Sequence, residues 1–178
     1  MEVSALQQQS PPFRDKLRVM GEEIGRLAKD VQQLSRQMHP SILDDLGLTA
    51  ALRAECGSFT QQHGIPATFL TSNVPDSLPG TISLSLYRIA QEGLWNVAKH
   101  AQAQEVRLIV SAVDGELMLA VEDDGKGFEP GQIKGRGGLG LVSMEERARL
   151  VRGSFSVQSQ LGKGTRVEVR IPLPHRDV

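Results

Sequence analysis

The sequence predicts an α+β fold: a sandwich with helices on one face of a mixed, mostly antiparallel sheet, preceded by a helical arm. Three observations carry this. Four stretches place apolar residues at helical spacing. Two pairs of short apolar runs close around turn residues, Asp114-Gly115 and Gly162-Lys163-Gly164. Glycine is concentrated rather than spread: of 18 glycines, ten fall between Gly125 and Gly164, and six of those between Gly125 and Gly138. Local glycine of this density marks a loop where backbone approaches something closely.

Pro11 and Pro12 close a polar tail, after which Phe13, Leu17, Met20, Ile24, Leu27, Val31, Leu34 and Met38 follow in steps of four and three. A strict 3.5-residue repeat is narrower than a globular helix needs, so this seam predicts a bundle or coiled-coil helix and dimerisation. Gly21 and Gly25 weaken it and Pro40 ends it. A second helix is expected over 46–63, stopped by Gly64, and the two helices together read as a hairpin arm. A short strand over 65–71 and a turn over 75–80 lead into a strong helix over 81–101. Strands over 106–113 and 116–121 flank Asp114-Gly115, and 125–138 shows little periodicity. Helical spacing returns over 139–151, and strands over 154–158 and 165–171 form a last antiparallel pair.

With 178 residues the chain holds one domain plus an extra element. Twenty Lys and Arg against 21 Asp and Glu leave a net charge of −1 with no basic stripe, which argues against nucleic acid or an anionic membrane as the main partner. Cys56 is the single cysteine, so neither an intrachain disulfide nor a cysteine zinc cluster is possible, and it reads as a small core residue. No apolar run approaches about 18 residues, and residues 1–9 lack a signal-peptide core. A cytoplasmic location is expected, with any membrane anchor outside this sequence.

The helix over 81–101 carries one apolar face, Leu86, Ile89, Ala90, Leu94, Val97 and Ala101, and a polar cluster of Arg88, Glu92, Asn96, Lys99 and His100. Such a cluster is often just a solvated face. Asn, however, is a poor helix former; its amide oxygen can ligate Mg²⁺ while a neighbouring Lys and His face phosphate oxygens. Asp123-Asp124-Gly125-Lys126-Gly127 reads either as a capped glycine turn or as a carboxylate accepting a hydrogen bond from an adenine amine, with the glycines clearing side chains from the base. A guanine carbonyl would be repelled at the same place. Gly135-Arg136-Gly137-Gly138-Leu139-Gly140 fits G-x-G-x-x-G, but 126–134 contains Pro130 and is no apolar strand, and Gln158, Ser159 and Gln160 offer no acid to a ribose. What remains is glycine opening a helix, with free N–H groups and a positive dipole end for phosphates. His39, beside Pro40 at a helix end, reads as structural.

In this order the segments resemble a known family. Residues 87–101, with Glu92, Asn96, Lys99 and His100, resemble the N-box of bacterial sensor histidine kinases of the NarX/DesK class. Val121-Glu122-Asp123-Asp124-Gly125-Lys126-Gly127-Phe128 resembles their first glycine box and Gly138-Leu139-Gly140-Leu141-Val142-Ser143-Met144 their second. Gly162-Lys163-Gly164-Thr165 resembles the closing G-x-G-T, and residues 39–48 the segment joining dimerisation helices to the catalytic domain. The resemblance covers nearly all of 14–173.

It implies a Bergerat-type ATP-binding domain over 46–178, preceded at 1–45 by the second dimerisation helix and a linker. It implies ATP and Mg²⁺ as cofactors, with Asn96 on the metal, Glu92 as the catalytic polarising group, and Lys99 and His100 near the phosphates. Asp123 would read adenine with support from Thr165 through a water; Gly125, Gly127, Gly138, Leu139, Gly140 and Leu141 complete the implied site, and 128–137 would form a lid. The implied reaction is γ-phosphoryl transfer to a histidine and onward to a response regulator, of the helix-turn-helix output class, in a homodimer. The family's acceptor is a His followed by Asp or Glu, whereas the histidines here precede Pro40, Gly64, Ala101 and Arg176. The acceptor is therefore expected outside this chain. Gly93 and Trp95 stand where Ala and Thr are more usual. Rival readings are a serine-directed anti-sigma kinase or another ATPase on the same fold, and a non-enzymatic ATP-sensing module.

Overall fold

A computed structural model describes residues 41–129 and 139–173. Contacts divide the chain into two units, Met1–Pro40 and Ser41–Val178, and the described residues all belong to the second. The apolar seam over 13–38, His39, and the glycines from Gly131 to Gly138 lie outside the described residues.

In chain order the elements are α1 (Ser41–His63), β1 (Ala67–Ser72), α2 (Gly80–Asn96) running directly into a π-helical turn (Val97–Ala101), β2 (Val106–Val113), β3 (Glu116–Asp123), α3 (Leu139–Leu150), β4 (Ser154–Ser159) and β5 (Thr165–Pro172). The sheet order is β1-β2-β3-β5-β4. β1 pairs with β2 in parallel, and the remaining pairs are antiparallel. The parallel pair follows from α2, since a crossover helix returns the chain to the same end of the sheet. The β2–β3 turn puts Asp114 at φ 52 and Gly115 at φ 79, the doubly left-handed turn that suits a twisted hairpin.

Side chains alternate across the sheet. Val106, Leu108 and Val110 of β2, Leu117, Leu119 and Val121 of β3, and Val167, Val169 and Ile171 of β5 are buried against all three helices. The opposite face is charged. There Arg107 pairs with Glu122 at 3.2 Å, Arg166 with Glu122 and Glu168, and Arg170 with Glu168 at 2.7 Å. Burial pushes the Glu168 carboxyl up, but the Arg166 and Arg170 guanidinium groups outweigh it and hold the group below its usual range. One apolar and one salt-bridged face restrict the helices to a single side.

One element, α1, differs from expectation. α1 begins at Ser41 but is broken at Gly47, whose φ of 77 and ψ of 176 are not helical. Beyond the break Leu48, Ala51, Leu52, Cys56 and Phe59 are buried in the common core. This helix is therefore a layer of the sandwich rather than half of a hairpin arm, because its apolar stripe is wide and faces α2. Cys56 is 2% exposed, and burial aided by the Glu55 charge pushes its thiol up to about 11, an inert core residue as expected.

Gly93 is explained by packing. A Cβ there would stand 2.8 Å from Val121 Cγ2 and 3.2 Å from Val121 Cβ, so α2 lies on β3 at a distance only glycine permits. Val121 is itself buried and β-branched, with little room to yield. Gly93→Ala should gain about 1 kcal/mol of helix propensity yet lose about 1–3 kcal/mol to overpacking. Urea denaturation should therefore show net destabilisation; a more stable variant would mean that Val121 moves aside freely.

Candidate functional site

Strand register places inner-face residues of β3, β5 and β4 in rows. Leu119–Val169–Phe155 and Val121–Val167–Val157 are apolar, and the next row, at the sheet's end, is Asp123–Thr165–Ser159. The inner face thus turns polar where the strands stop. Ser159 Oγ accepts the Phe128 N–H at 2.9 Å and lies 3.1 Å from Gly164 O and 2.9 Å from Thr165 Oγ1. Asp123 Oδ1 accepts the Gly125 N–H at 2.9 Å. Partial burial raises the Asp123 carboxyl pKa, opposed by the Gly125 N–H; the Asp124 charge raises it further and the Thr165 N–H lowers it. A cleft of about 440 Å³ opens at these strand ends on the charged face, lined there by Arg107, Glu122, Gln158 and Arg166, and it reaches Asp123, Ser159 and Thr165 only at its border.

Beyond β3 the backbone passes through a clasp. The Lys126 N–H donates to Ala101 O at 2.8 Å, and the Gly162 N–H donates to Lys126 O at 2.7 Å. A Cβ on Gly125 would run into Ala101 O, one on Gly127 (φ 57) into Gln160 O, and one on Gly164 (φ 78) into Asp123 O. The sequence reading gave Gly125 and Gly127 the task of clearing space for a base; in the fold their missing side chains admit the protein's own backbone. Asp124 makes a second tie, its Oδ1 accepting the Gln104 and Glu105 N–H groups at 2.8 and 3.0 Å. Those bonds, the one from Glu105 foremost, hold its carboxyl below the ordinary value.

The polar edge of α2 forms the other half. Glu92 and Asn96 are one turn apart, and a Cβ on Gly140 would collide with Glu92 Oε1 and come within 3.3 Å of Asn96 Nδ2. The first turn of α3 therefore covers both groups. A carboxylate and an amide oxygen are hard donors of the kind Mg²⁺ accepts. Among the described residues no group of three or more His, Cys, Asp or Glu could hold a metal ion. Lys99 and His100 are exposed on the π turn. Leu139 is 89% exposed, whereas Leu141 is half-buried against the core. Gly138 lies outside the described residues. Arg88 is turned to α2 itself, donating to Gln91 Oε1 at 2.8 Å, while Gln91 and Tyr87 both donate to Glu55 Oε2 of α1.

Residues 81–175 match the family model described as histidine kinase-, DNA gyrase B-, and HSP90-like ATPase. The chain belongs to this ATPase family. That membership makes 81–175 an ATP-binding domain. The chain is 37% identical over 150 residues to the oxygen sensor histidine kinase NreB of Staphylococcus carnosus, covering 84% of this chain and 43% of that protein. It is 36% identical over 153 residues to the sensor histidine kinase MctS of Rhizobium johnstonii, covering 85% of this chain and 33% of that one. It thus spans less than half the length of either relative. The fold matches the histidine kinase domain of a blue-light activated histidine kinase from Erythrobacter litoralis, with a TM-score of 0.63 and 22% identity over 75% of this chain and 69% of the other. No described helix of this ATPase-family chain is long and apolar enough to cross a membrane.

Sequence reasoning missed Ser159 and Asp124. The signal for Ser159 was available: pairing the final hairpin outward from Gly162 sets it opposite Thr165. Asp124 leaves no such trace, because its partners are backbone amides twenty residues upstream. The adjacent aspartates should titrate in opposite senses by carbon-detected NMR, Asp123 with a midpoint above about 3.9 and Asp124 below it. Linkage follows: Asp123 contributes less stability as pH rises through its raised pKa, whereas Asp124's contribution is present above the unfolded value and is lost as pH falls through its depressed one. Coincident midpoints near 3.9 would contradict this geometry.

Proposed function

We propose that the chain is the ATP-binding catalytic portion of a two-component sensor histidine kinase, with 46–178 as the catalytic domain and 1–45 as part of the dimerisation region and linker. The helix break at Gly47 lies beside this boundary, and contacts divide the chain slightly earlier, after Pro40. The observation that carries the reading is the pairing of two sites: acceptors at the end of β3 and β5, and a carboxylate and amide beneath the start of α3. Asp123 accepts a hydrogen bond from the adenine amine, with Thr165 beside it. Asn96 holds Mg²⁺, which supplies charge neutralisation to the phosphates when bound. Glu92 polarises the attacking group; Lys99, His100 and the turn Gly138-Leu139-Gly140-Leu141 face the phosphates. Phosphoryl transfer needs mostly positioning and charge neutralisation, so this set suffices for the donor half.

The acceptor is a histidine outside residues 1–178, since the four here precede Pro40, Gly64, Ala101 and Arg176. The phosphoryl group then passes to a response regulator, of the helix-turn-helix output class, and the full protein acts as a homodimer with this segment in the cytoplasm. Neither nucleic acid nor membrane is a partner of this segment. The same lack of an internal acceptor favours one second reading, an ATP-sensing module without catalysis.

Calorimetric titration should show MgADP binding well above MgGDP. Asp123→Asn should weaken MgADP by about 10- to 150-fold, the worth of a hydrogen bond to a charged group. Equal binding of both nucleotides, or an unaffected variant, would remove Asp123 from the base pocket. Supplied with a separate dimerisation segment, Glu92→Gln should lower phosphoryl transfer while leaving MgADP affinity unchanged; transfer unchanged by that substitution would exclude Glu92 from the chemistry.

A further inference from the structure

We propose that Ser159 is a positioning residue that sets base discrimination by fixing which way the Thr165 hydroxyl proton points. The inference rests on the reading of Asp123 and Thr165 as the base pocket and adds a residue to it.

The argument is one of proton counting. A hydroxyl carries one proton and two acceptor sites. Ser159 Oγ has three neighbours: the Phe128 N–H at 2.9 Å, Gly164 O at 3.1 Å and Thr165 Oγ1 at 2.9 Å. The Phe128 amide can only donate and Gly164 O can only accept. The Ser159 proton is therefore committed to Gly164 O, since otherwise the contact would set two acceptors against each other. The bond between the hydroxyls must then be donated by Thr165. Its proton is used on Ser159, and the side of Thr165 Oγ1 left toward its other neighbour in the row, Asp123, presents lone pairs alone. Asp123, as a carboxylate, also only accepts. Register sets Asp123 and Thr165 directly opposite each other on the inner face.

Two adjacent acceptors complement a donor. A 6-amino purine offers one there directly. A 6-oxo purine brings an oxygen against both, and Thr165 cannot turn its proton to meet it without breaking the bond to Ser159. Ser159 thereby converts an ambivalent hydroxyl into a fixed acceptor without touching the base.

The test is titration with MgADP and MgIDP, which share ribose, phosphates and ring but differ at the 6 position and N1. The wild type should prefer MgADP. In Ser159→Ala the Thr165 proton is free to rotate, and the MgADP-to-MgIDP affinity ratio should fall about tenfold, the worth of one neutral hydrogen bond matched instead of mismatched. A general loosening of the loop would weaken both ligands and leave the ratio in place. Ser159→Thr keeps the hydroxyl and should restore the ratio. Thr165→Val should lower the ratio as Ser159→Ala does, and adding Ser159→Ala to it should change nothing more; if Ser159→Ala does not fold, Thr165→Val alone still overturns the proposal by leaving the ratio in place. A wild-type ratio preserved in Ser159→Ala or in Thr165→Val overturns the proposal. A wild type indifferent to the two nucleotides overturns the base-pocket reading itself, and the proposal with it.

Discussion

Two backbone hydrogen bonds, Lys126 N–H to Ala101 O and Gly162 N–H to Lys126 O, hold together the elements that carry the polar row at the strand ends. They tie the end of the α2 π turn, the exit of β3 and the β4–β5 turn to one short stretch of backbone. Each is worth only about 1 kcal/mol net. Their force lies in the packing they require: Gly125, Gly127 and Gly164 each occupy a spot where a Cβ would strike a backbone oxygen. The D-x-G-x-G pattern is first a packing pattern. It allows Asp123 to finish its strand while the chain turns at once under Ala101, and Asp124 secures the same corner from the other side by holding the Gln104 and Glu105 amides.

The clasp joins two chemically different regions. At the strand ends, the inner face changes from Val121–Val167–Val157 to Asp123–Thr165–Ser159 within one side-chain repeat. A base needs that: apolar surface to lie on and a few fixed polar atoms at its edge. On α2, Glu92 and Asn96 lie beneath the first turn of α3, where charge rather than shape governs. α2 is held against β3 by the missing side chain of Gly93 and against α1 by the Glu55 carboxylate, which accepts from Tyr87 and Gln91. The distance between the Asp123–Thr165–Ser159 row and the Glu92–Asn96 pair is thus set by core contacts.

Much of this was legible in the sequence, for identifiable reasons. Asp114-Gly115 and Gly162-Lys163-Gly164 announce their hairpins because left-handed turns demand such residues. The polar cluster on α2 and the motifs following it already point to the family that the match over 81–175 shows. What escaped depends on pairing or distance along the chain. Gly47 breaks α1 within an otherwise helical pattern, and a single glycine in such a run does not disclose its φ. Gly93 stands where Ala is more usual with no visible reason in the sequence, because that reason, Val121, is on another element. Ser159 lay one residue past the predicted strand and acquires its role only from the register with Thr165. Gly125 and Gly127 stand out in the sequence, but spacing alone does not show that the backbone oxygens of Ala101 and Gln160 lie against them.

The claim beneath all of this is that the protein's own backbone, not the nucleotide, builds the corner that carries Asp123. Residue-resolved hydrogen exchange of the nucleotide-free chain at the Lys126 and Gly162 amides tests it most directly. The account predicts that both are protected to a degree comparable with the paired amides of β3 and β5, and that ADP changes them little. Exchange at the rate of an open loop until ADP is added would show that the ligand assembles the clasp, and would contradict it.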